Sequence, residues 1–151
     1  TLHYTVIGRG ELEKELKEQI DRLGLSDNVQ VVTDADDDKM AAMYQQCDVF
    51  ILPNRTIGGD IEGFGMVLLE AQACGKYVVA GNSGGTKETM RVGETGFVID
   101  CSSPSAIVDG FSMVMQKLPS LTMSPSEFVR STFSWDVHVE KAKALFDRFA
   151  N

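Results

Sequence analysis

The sequence predicts an α/β fold with a doubly wound parallel sheet. Short apolar runs rich in Val and Ile alternate along the chain with segments of helical period, which is the pattern of successive strand–helix units. The runs are apolar at nearly every position, as strands covered by helices on both faces require. The length of 151 residues and the hydrophobic content of 43% suit one domain with a substantial core. We therefore expect a single Rossmann-like domain over residues 1–151.

Five strands are expected in this sheet. They occupy residues 4–7, 29–32, 49–52, 77–80 and 97–99. The helix that follows the first strand is the clearest, with an apolar stripe that covers one face of the sheet and Gly24 as its stop. The stripe consists of Leu12, Leu16, Ile20 and Leu23.

Four further helices are expected, at residues 40–46, 64–74, 105–117 and 135–149. The last of them has an apolar face that we expect to point inward. This face consists of Trp135, Val139, Ala142, Leu145 and Phe149. Residues 119–125 begin and end with proline and are expected to form a surface connection rather than a domain linker.

The charge balance and the cysteine pattern limit the class of function. A net charge of -8 argues against a nucleic-acid or anionic-membrane surface, for which a basic patch is the expected signature. Cys47, Cys74 and Cys101 lack the spacing of a zinc site, so we interpret them as reduced core thiols. No apolar run reaches the roughly 18 residues of a membrane span, and no signal peptide is visible. We therefore expect a cytoplasmic protein without a nucleic-acid partner.

The segment from Glu62 to Gly75 is the most informative, because it combines a glycine-rich start with two carboxylates in an apolar helix. Glu62 and Glu70 are eight residues apart, and Glu70 lies among Leu and Ala residues. A Glu buried on such a helix needs a partner that hydrogen-bonds to it. The N–H groups and the dipole at a helix N-terminus attract phosphate. The segment predicts a site that binds an anion at the helix start and hydroxyl groups one turn deeper.

Two other glycine-bearing loops follow strands. Gly8, Arg9 and Gly10 follow the first strand, where an open α/β sheet places phosphate contacts. A dinucleotide-binding fingerprint would need a third glycine where Glu13 stands, so a plain tight turn stays open as the alternative. The other loop, Ser-Gly-Gly-Thr-Lys-Glu at residues 83–88, follows the fourth strand. Because the carboxyl ends of parallel strands share one edge of a sheet, we expect the glycine-bearing loops to gather there.

An acidic run at residues 34–38 raises two further possibilities. A calcium loop would need a glycine where Lys39 stands and a bidentate acid where Gln45 stands. A receiver-like regulatory domain would need carboxylates after the first strand and an Asp at the end of the third, where the sequence has Gly8 and Asn54. We interpret the run as a solvated turn that supplies an Asp N-cap to the next helix.

Together these segments resemble the retaining glycosyltransferases of family 4, the group 1 glycosyltransferases of two-domain GT-B architecture. The resemblance covers nearly the whole chain. Its strongest element is the E-x7-E motif of Glu62 and Glu70, in the setting Glu-Gly-Phe-Gly-x-Val-x-Leu-Glu-Ala-x-Ala-x-Gly. The supporting segments are Gly8-x-Gly10, residues 47–53, residues 83–88, residues 93–98 and Phe133-Ser134-Trp135.

The resemblance implies the C-terminal, donor-binding half of a GT-B enzyme that transfers a hexose from a nucleotide-diphosphate sugar with retention of configuration. In that family the carboxylate that matches Glu70 binds the ribose hydroxyls. The carboxylate that matches Glu62 contacts the transferred sugar, which makes Glu62 the candidate catalytic residue. Backbone amides near the helix start would stabilise the leaving phosphate. The implied substrate-binding residues are Gly8, Arg9, Gly10, Glu62, Gly63, Phe64, Gly65, Met66, Val67 and Glu70.

The resemblance also implies that the reaction needs no metal and that the donor sugar nucleotide is a co-substrate. A front-face reaction and a covalent intermediate on Glu62 both stay open as mechanisms. In the family, a further strand and an Arg- and Lys-bearing loop precede the region matched here, and we expect them and the N-terminal acceptor domain outside this chain. Any membrane contact would then involve that missing half. The alternatives are a nucleotide-sugar epimerase, a phosphorylase of the same architecture or a nucleotide-binding regulatory domain.

Overall fold

The computed structural model describes residues 1–149, which form alternating strands and helices. The strands are β1 (Tyr4–Ile7), β2 (Val29–Val32), β3 (Val49–Leu52), β4 (Tyr77–Gly81) and β5 (Gly96–Ile99). The α-helices are α1 (Glu13–Arg22), α2 (Asp37–Gln46), α3 (Met66–Ala73), α4 (Pro104–Lys117), α5 (Pro125–Phe133) and α6 (Trp135–Phe149). Short 3₁₀ helices cover Gly84–Thr89 and Leu118–Ser120. All of the predicted strands are confirmed, each within one residue at either end.

The chain divides into two compact units, Thr1–Met43 and Tyr44–Asn151. In the first unit β1 pairs with β2 in parallel. In the second unit β4 pairs in parallel with β3 on one side and with β5 on the other. The strands therefore hydrogen-bond as two sheets rather than as the single sheet that the sequence predicts. All of the paired strands within each unit are parallel, as strands joined by crossover helices require.

Only the two central residues of the apolar stripe predicted for helix α1 are covered. Ile20 is buried and Leu16 is half-buried. Leu12 and Leu23 are 70% and 58% exposed, so the prediction that they cover the sheet is wrong. The reason is the length of the helix, because these two residues lie at its N-cap and C-cap and not within its turns.

Helix α2 begins within the acidic run. The Asp36 carboxylate accepts a hydrogen bond from the Lys39 N–H at 2.8 Å, which confirms the predicted Asp N-cap. The Lys39 ammonium also pairs with the Asp34 carboxylate at 2.7 Å. This hydrogen bond, with the charge of Lys39, holds the pKa of Asp34 below its usual value. The acidic run is therefore a capped, solvated helix start.

One hydrophobic cluster in the core of the second unit lies between β4, β5 and α4. The buried residues of this cluster are Val79, Phe97, Ile99, Cys101 and Val114. Ser103 caps α4 by accepting a hydrogen bond from Ala106 N–H, and Pro104 takes the first helical position. The cysteines are unbridged, as predicted, with Cys101 buried in this core and the other two half-buried. Burial raises the pKa of the Cys101 thiol above its usual value.

The end of the chain differs from the prediction in two places. Pro125 is buried as the first residue of α5, so residues 119–125 are not entirely a surface connection. Ser124 accepts a hydrogen bond from the Glu127 N–H, the helix-start pattern that the Ser-Pro-Ser-Glu sequence contains. Helix α6 has the predicted bounds but no buried residue, and Trp135 and Phe149 are 81% and 82% exposed. The prediction that its apolar face points inward is thus wrong, because the helical period of a sequence shows an apolar stripe but not whether another element covers it.

Candidate functional site

The segment that follows β3 is held against the segment that follows β4. The Asn54 side chain accepts a hydrogen bond from the Gly81 N–H at 3.0 Å and donates one to the Ser83 carbonyl at 3.2 Å. The hydroxyls of Thr56 and Ser83 lie 3.0 Å apart and form a further hydrogen bond. These bonds place the two loops at the carboxyl ends of neighbouring parallel strands, the edge at which open α/β sheets bind ligands.

Glu62 lies where these two loops touch. Its carbonyl accepts a hydrogen bond from the Gly85 N–H at 3.3 Å. A Cβ atom at Gly84 would lie 1.7 Å from the same carbonyl oxygen, and Gly84 has a φ of 60°. Only glycine fits both the space and the backbone conformation at this position. The loops at residues 62–65 and 83–88 therefore meet as predicted, whereas the gathering of the Gly8 and Gly10 loop with them stays a prediction.

The Glu62 side chain turns back toward the start of α3. Its Oε1 accepts a hydrogen bond from the Gly65 N–H at 3.1 Å, and the residue is half-buried. Gly65 is the N-cap of α3, with a φ of 82°, and is itself buried. The first N–H groups of the helix have no carbonyl within the helix to bond. Glu62 therefore holds the helix start in place, beside N–H groups that have no carbonyl partner within the helix.

Glu70 lies one helical turn further along α3, about 6 Å along the axis from Met66. The helix buries Leu68, Leu69, Ala71 and Gln72. Glu70 itself is exposed, so its predicted burial is wrong, because α3 turns this position away from its buried side. The expected partner is present, since the Tyr44 hydroxyl donates a hydrogen bond to Glu70 Oε2 at 3.0 Å.

Tyr44 is a site residue that the sequence analysis missed. It is 4% exposed and packs edge-to-face on Phe50, with the ring centroids 5.4 Å apart. Burial, and next the bond to the Glu70 carboxylate, raise the pKa of the Tyr44 hydroxyl well above its usual value, so the hydroxyl stays protonated and donates this hydrogen bond. In the sequence, Tyr44 is marked only by having a hydroxyl group within the half-buried helix α2. That feature does not indicate that its hydrogen-bond partner lies in α3.

Gly8, Arg9 and Gly10 line a cavity of about 400 Å³ in the first unit, together with apolar residues that include Val6 and Leu16. The Gly8 N–H donates to the Val32 carbonyl at 3.1 Å. The Arg9 guanidinium donates to the Thr33 carbonyl, so part of its hydrogen-bonding capacity serves the loop itself. These three residues belong to the first unit, whereas Glu62, Gly65 and Glu70 belong to the second.

A second cavity, of about 770 Å³, lies at the carboxyl ends of β3, β4 and β5. Its charged lining residues are Arg55, Lys87 and Asp100. Neither Glu62 nor Glu70 lines this cavity. Within residues 1–149, no three His, Cys, Asp or Glu side chains are grouped in a way that could hold a metal ion.

Residues 1–123 match the family model for glycosyl transferases group 1. The chain belongs to this family. The resemblance that the E-x7-E segment indicated is confirmed. None of the helices in the described part of this group 1 chain has the length and apolar character to cross a membrane.

Two curated relatives show how much of a group 1 enzyme this chain represents. It is 32% identical over 141 residues to a GDP-mannose-dependent alpha-(1-6)-phosphatidylinositol monomannoside mannosyltransferase of Mycobacterium tuberculosis, covering 90% of this chain and 37% of the relative. It is 30% identical over 140 residues to a D-inositol 3-phosphate glycosyltransferase of Corynebacterium urealyticum, covering 90% of this chain and 31% of the relative. The chain therefore spans about a third of the length of the relatives it matches.

Solved structures confirm the predicted Rossmann-like α/β fold of the GT-B class. The chain superposes on sucrose-phosphate synthase from Thermosynechococcus elongatus with a TM-score of 0.75 and 22% identity, covering 97% of this chain and 38% of that one. It superposes on the Anabaena protein HepE, solved in complex with UDP, with a TM-score of 0.74 and 24% identity. That match covers 97% of this chain and 41% of HepE.

Proposed function

We propose that this chain is the donor-binding half of a retaining glycosyltransferase. The full-length enzyme transfers a hexose from a nucleotide-diphosphate sugar to an acceptor. The observation that carries the proposal is the arrangement of Glu62, Gly65 and Glu70 at the start and first turn of α3. Membership of the group 1 family supports it, as do a GDP-mannose-dependent relative and a neighbour solved with UDP.

The ribose contact is assigned to Glu70. Its Oε2 is already bound by the Tyr44 hydroxyl, whereas the structure gives its Oε1 no hydrogen-bond partner within residues 1–149. A carboxylate held in one orientation, with an oxygen open to solvent, is suited to accept hydrogen bonds from vicinal hydroxyl groups. Tyr44 is in this scheme a positioning residue, because it fixes the carboxylate and does not touch the ligand.

The phosphates are assigned to the backbone from Gly63 to Val67. The helix dipole and the unbonded N–H groups at the start of α3 favour an anion there. Glu62, which contacts the transferred sugar in this proposal, is bound by the Gly65 N–H through one oxygen only. The departing phosphate would help to deprotonate the acceptor in a front-face reaction, and a covalent intermediate on Glu62 is the rival route.

Further elements of the proposal concern the rest of the enzyme. Gly8, Arg9 and Gly10 stay proposed donor-binding residues on the family resemblance alone, and the acceptor domain is supplied by another part of the same polypeptide. The reaction requires no metal ion, and nucleic acid is not a partner. The protein acts in the cytoplasm, and any contact with a membrane is made by the half that this chain does not include.

The acceptor is proposed to bear a phosphoryl group. The two relatives described above are named for phosphatidylinositol monomannoside and for D-inositol 3-phosphate, which share an inositol phosphate. Both are more similar in sequence to this chain than the two solved structures are. A phosphorylated inositol is therefore the first acceptor class to test.

The decisive assay follows nucleotide release by the full-length protein from GDP-mannose and UDP-glucose, with and without an acceptor. Transfer predicts release that depends on the acceptor. An epimerase would change the sugar without an acceptor, a phosphorylase would need phosphate, and a binding module would release nothing. Any of these three results would contradict the proposed function.

Glu70→Ala is expected to weaken the binding of nucleotide sugar by the full-length protein about tenfold, through the loss of the ribose contact. Calorimetric titration with the donor measures the change. Glu140→Ala, at an exposed Glu of α6 outside the loops of the site, is the matched control and should leave the dissociation constant unchanged. Equal donor affinity of Glu70→Ala and wild type would remove Glu70 from the ribose site.

Tyr44→Phe is expected to weaken donor binding about threefold, because it frees the Glu70 carboxylate without removing it. Tyr77→Phe is the control, since the Tyr77 hydroxyl bonds to the carbonyls of Leu121 and Met123, away from Glu70. In the Glu70→Ala background, Tyr44→Phe should have no further effect on donor affinity. An additive effect there would show that Tyr44 does not act through Glu70.

A further inference from the structure

Glu62 is carried by a loop that is attached to the rest of the second unit near both of its ends. The loop follows β3, and its residues 55–61 are all exposed. At the far end of the loop the Glu62 carbonyl accepts the hydrogen bond from the Gly85 N–H. At the near end the Asn54 side chain bonds to the segment that follows β4. The position of Glu62 therefore depends on how the segments after β3 and β4 are joined.

The Asn54 amide uses both of its polar atoms in this junction. Its Oδ1 accepts from the Gly81 N–H at 3.0 Å, and its Nδ2 donates to the Ser83 carbonyl at 3.2 Å. Gly81 and Ser83 are buried and Asn54 is half-buried, so these bonds are shielded from water. An aspartate here could accept but not donate, and a leucine could do neither. The junction is thus specific for an amide side chain.

The turn that Asn54 binds is fixed from its other side as well. The buried Thr86 hydroxyl lies 3.0 Å from the Gly81 carbonyl and 3.1 Å from the Ser83 carbonyl. A Cβ atom at Gly81 would lie 1.8 Å from the Asn54 carbonyl oxygen, so the two backbones are also in direct contact. Asn54 therefore attaches the Glu62 loop to a turn that is itself held in place.

Hydrogen bonds continue from this turn to the Glu62 carboxylate. The chain passes from the turn directly into Gly84 and Gly85, and the Gly85 N–H bonds to the Glu62 carbonyl at 3.3 Å. The Glu62 Oε1 then accepts from the Gly65 N–H at 3.1 Å. Displacing a reacting group by about 1 Å can lower a rate by about 100-fold. A side chain that fixes this loop can therefore affect the reaction without touching the substrate.

We propose that Asn54 is a positioning residue for Glu62 in sugar transfer. The inference rests on the proposed function, in which Glu62 contacts the transferred sugar and Glu70 binds the ribose. Loss of the Asn54 amide should move the Glu62 loop and leave the packed part of α3, which carries Glu70, in place. The consequence is a fall in kcat with little change in donor affinity, which a general loss of stability does not produce.

The first test measures kcat of the full-length protein with GDP-mannose, and with D-inositol 3-phosphate or dispersed phosphatidylinositol as acceptor. Asn54→Ala should lower kcat about tenfold and change the donor dissociation constant less than about twofold. Asn82→Ala, which removes an exposed amide from the same turn, is the matched control and should change neither. In the Glu62→Gln background, Asn54→Ala should lower kcat no further. An unchanged kcat in Asn54→Ala, or a full further loss in the Glu62→Gln background, would overturn the proposal.

The second test measures the position of the loop by amide hydrogen exchange and does not depend on activity. In Asn54→Ala the Gly65 and Gly85 amides, which bond to Glu62, should exchange about tenfold faster than in wild type. The amides of β5 should be unchanged, which also shows that the variant is folded. Equal exchange of Gly65 and Gly85 in variant and wild type would contradict the positioning role.

Thr56→Val provides a milder change if Asn54→Ala does not fold. Thr56 is exposed, and its hydroxyl shares a hydrogen bond with the Ser83 hydroxyl at 3.0 Å. The variant should show both effects at about threefold, and the absence of both would overturn the proposal. Failure of the proposed function would appear differently, as no sugar transfer by the wild type. The exchange measurement would still decide whether Asn54 positions Glu62.

Discussion

Glu62→Gln is expected to lower the kcat of sugar transfer by about 100-fold or more, while the dissociation constant for the nucleotide changes by less than about threefold. Glutamine has the same size and retains an oxygen that can accept the hydrogen bond from the Gly65 N–H. The start of α3 should therefore persist in the variant. What the variant loses is the negative charge beside the reacting sugar, which matters most in the transition state.

Steady-state transfer assays and nucleotide titration on the same preparation measure the two effects of Glu62→Gln. Glu94→Gln, at an exposed carboxylate before β5, is the control for a general change of charge. Full activity of Glu62→Gln would remove Glu62 from the reaction centre. A variant that loses nucleotide affinity and activity in parallel would instead assign Glu62 a binding role.

Gly84→Ala is expected to lower the free energy of unfolding by about 3 kcal/mol and to weaken donor binding at the same time. A methyl group at position 84 would lie 1.7 Å from the Glu62 carbonyl oxygen, which is backbone and cannot rotate away. The left-handed φ of 60° adds strain for any residue with a Cβ. The loop that carries Glu62 would have to move.

Gly93→Ala separates these two causes. Gly93 also has a positive φ, of 85°, but a Cβ there would meet nothing within 4 Å. Only the backbone strain should remain, about 1 kcal/mol, with no change in donor affinity. Urea denaturation of the full-length variants, with donor titration, makes the comparison. Equal losses of stability in Gly84→Ala and Gly93→Ala would show that the close approach to Glu62 contributes nothing.

The strands and the helix start at Gly65 were predictable because their signals are local. Runs such as residues 49–52 are apolar at every position, and Glu62 to Gly65 place glycines directly before an apolar helix. The start of α5 had a local signal as well, in the spacing of Ser124 and Glu127.

The contacts that complete the site depend on tertiary structure. Tyr44 and Glu70 are 26 residues apart, and nothing in the sequence near either one indicates that a hydrogen bond joins them. The outward position of Glu70 depends on which side of α3 is packed, and hydrophobic content alone does not determine that side. Asn54 and Ser83 likewise become neighbours only through the pairing of β3 with β4.

A crystal structure of the full-length protein with GDP or UDP bound tests the central claim most directly. We expect the ribose hydroxyls within about 3 Å of the Glu70 carboxylate, with the diphosphate at the N–H groups that begin α3. The cavity of Arg55 and Lys87 should then be free of the nucleotide. A nucleotide bound in that cavity, or with its ribose away from Glu70, would contradict the assignment of the donor site.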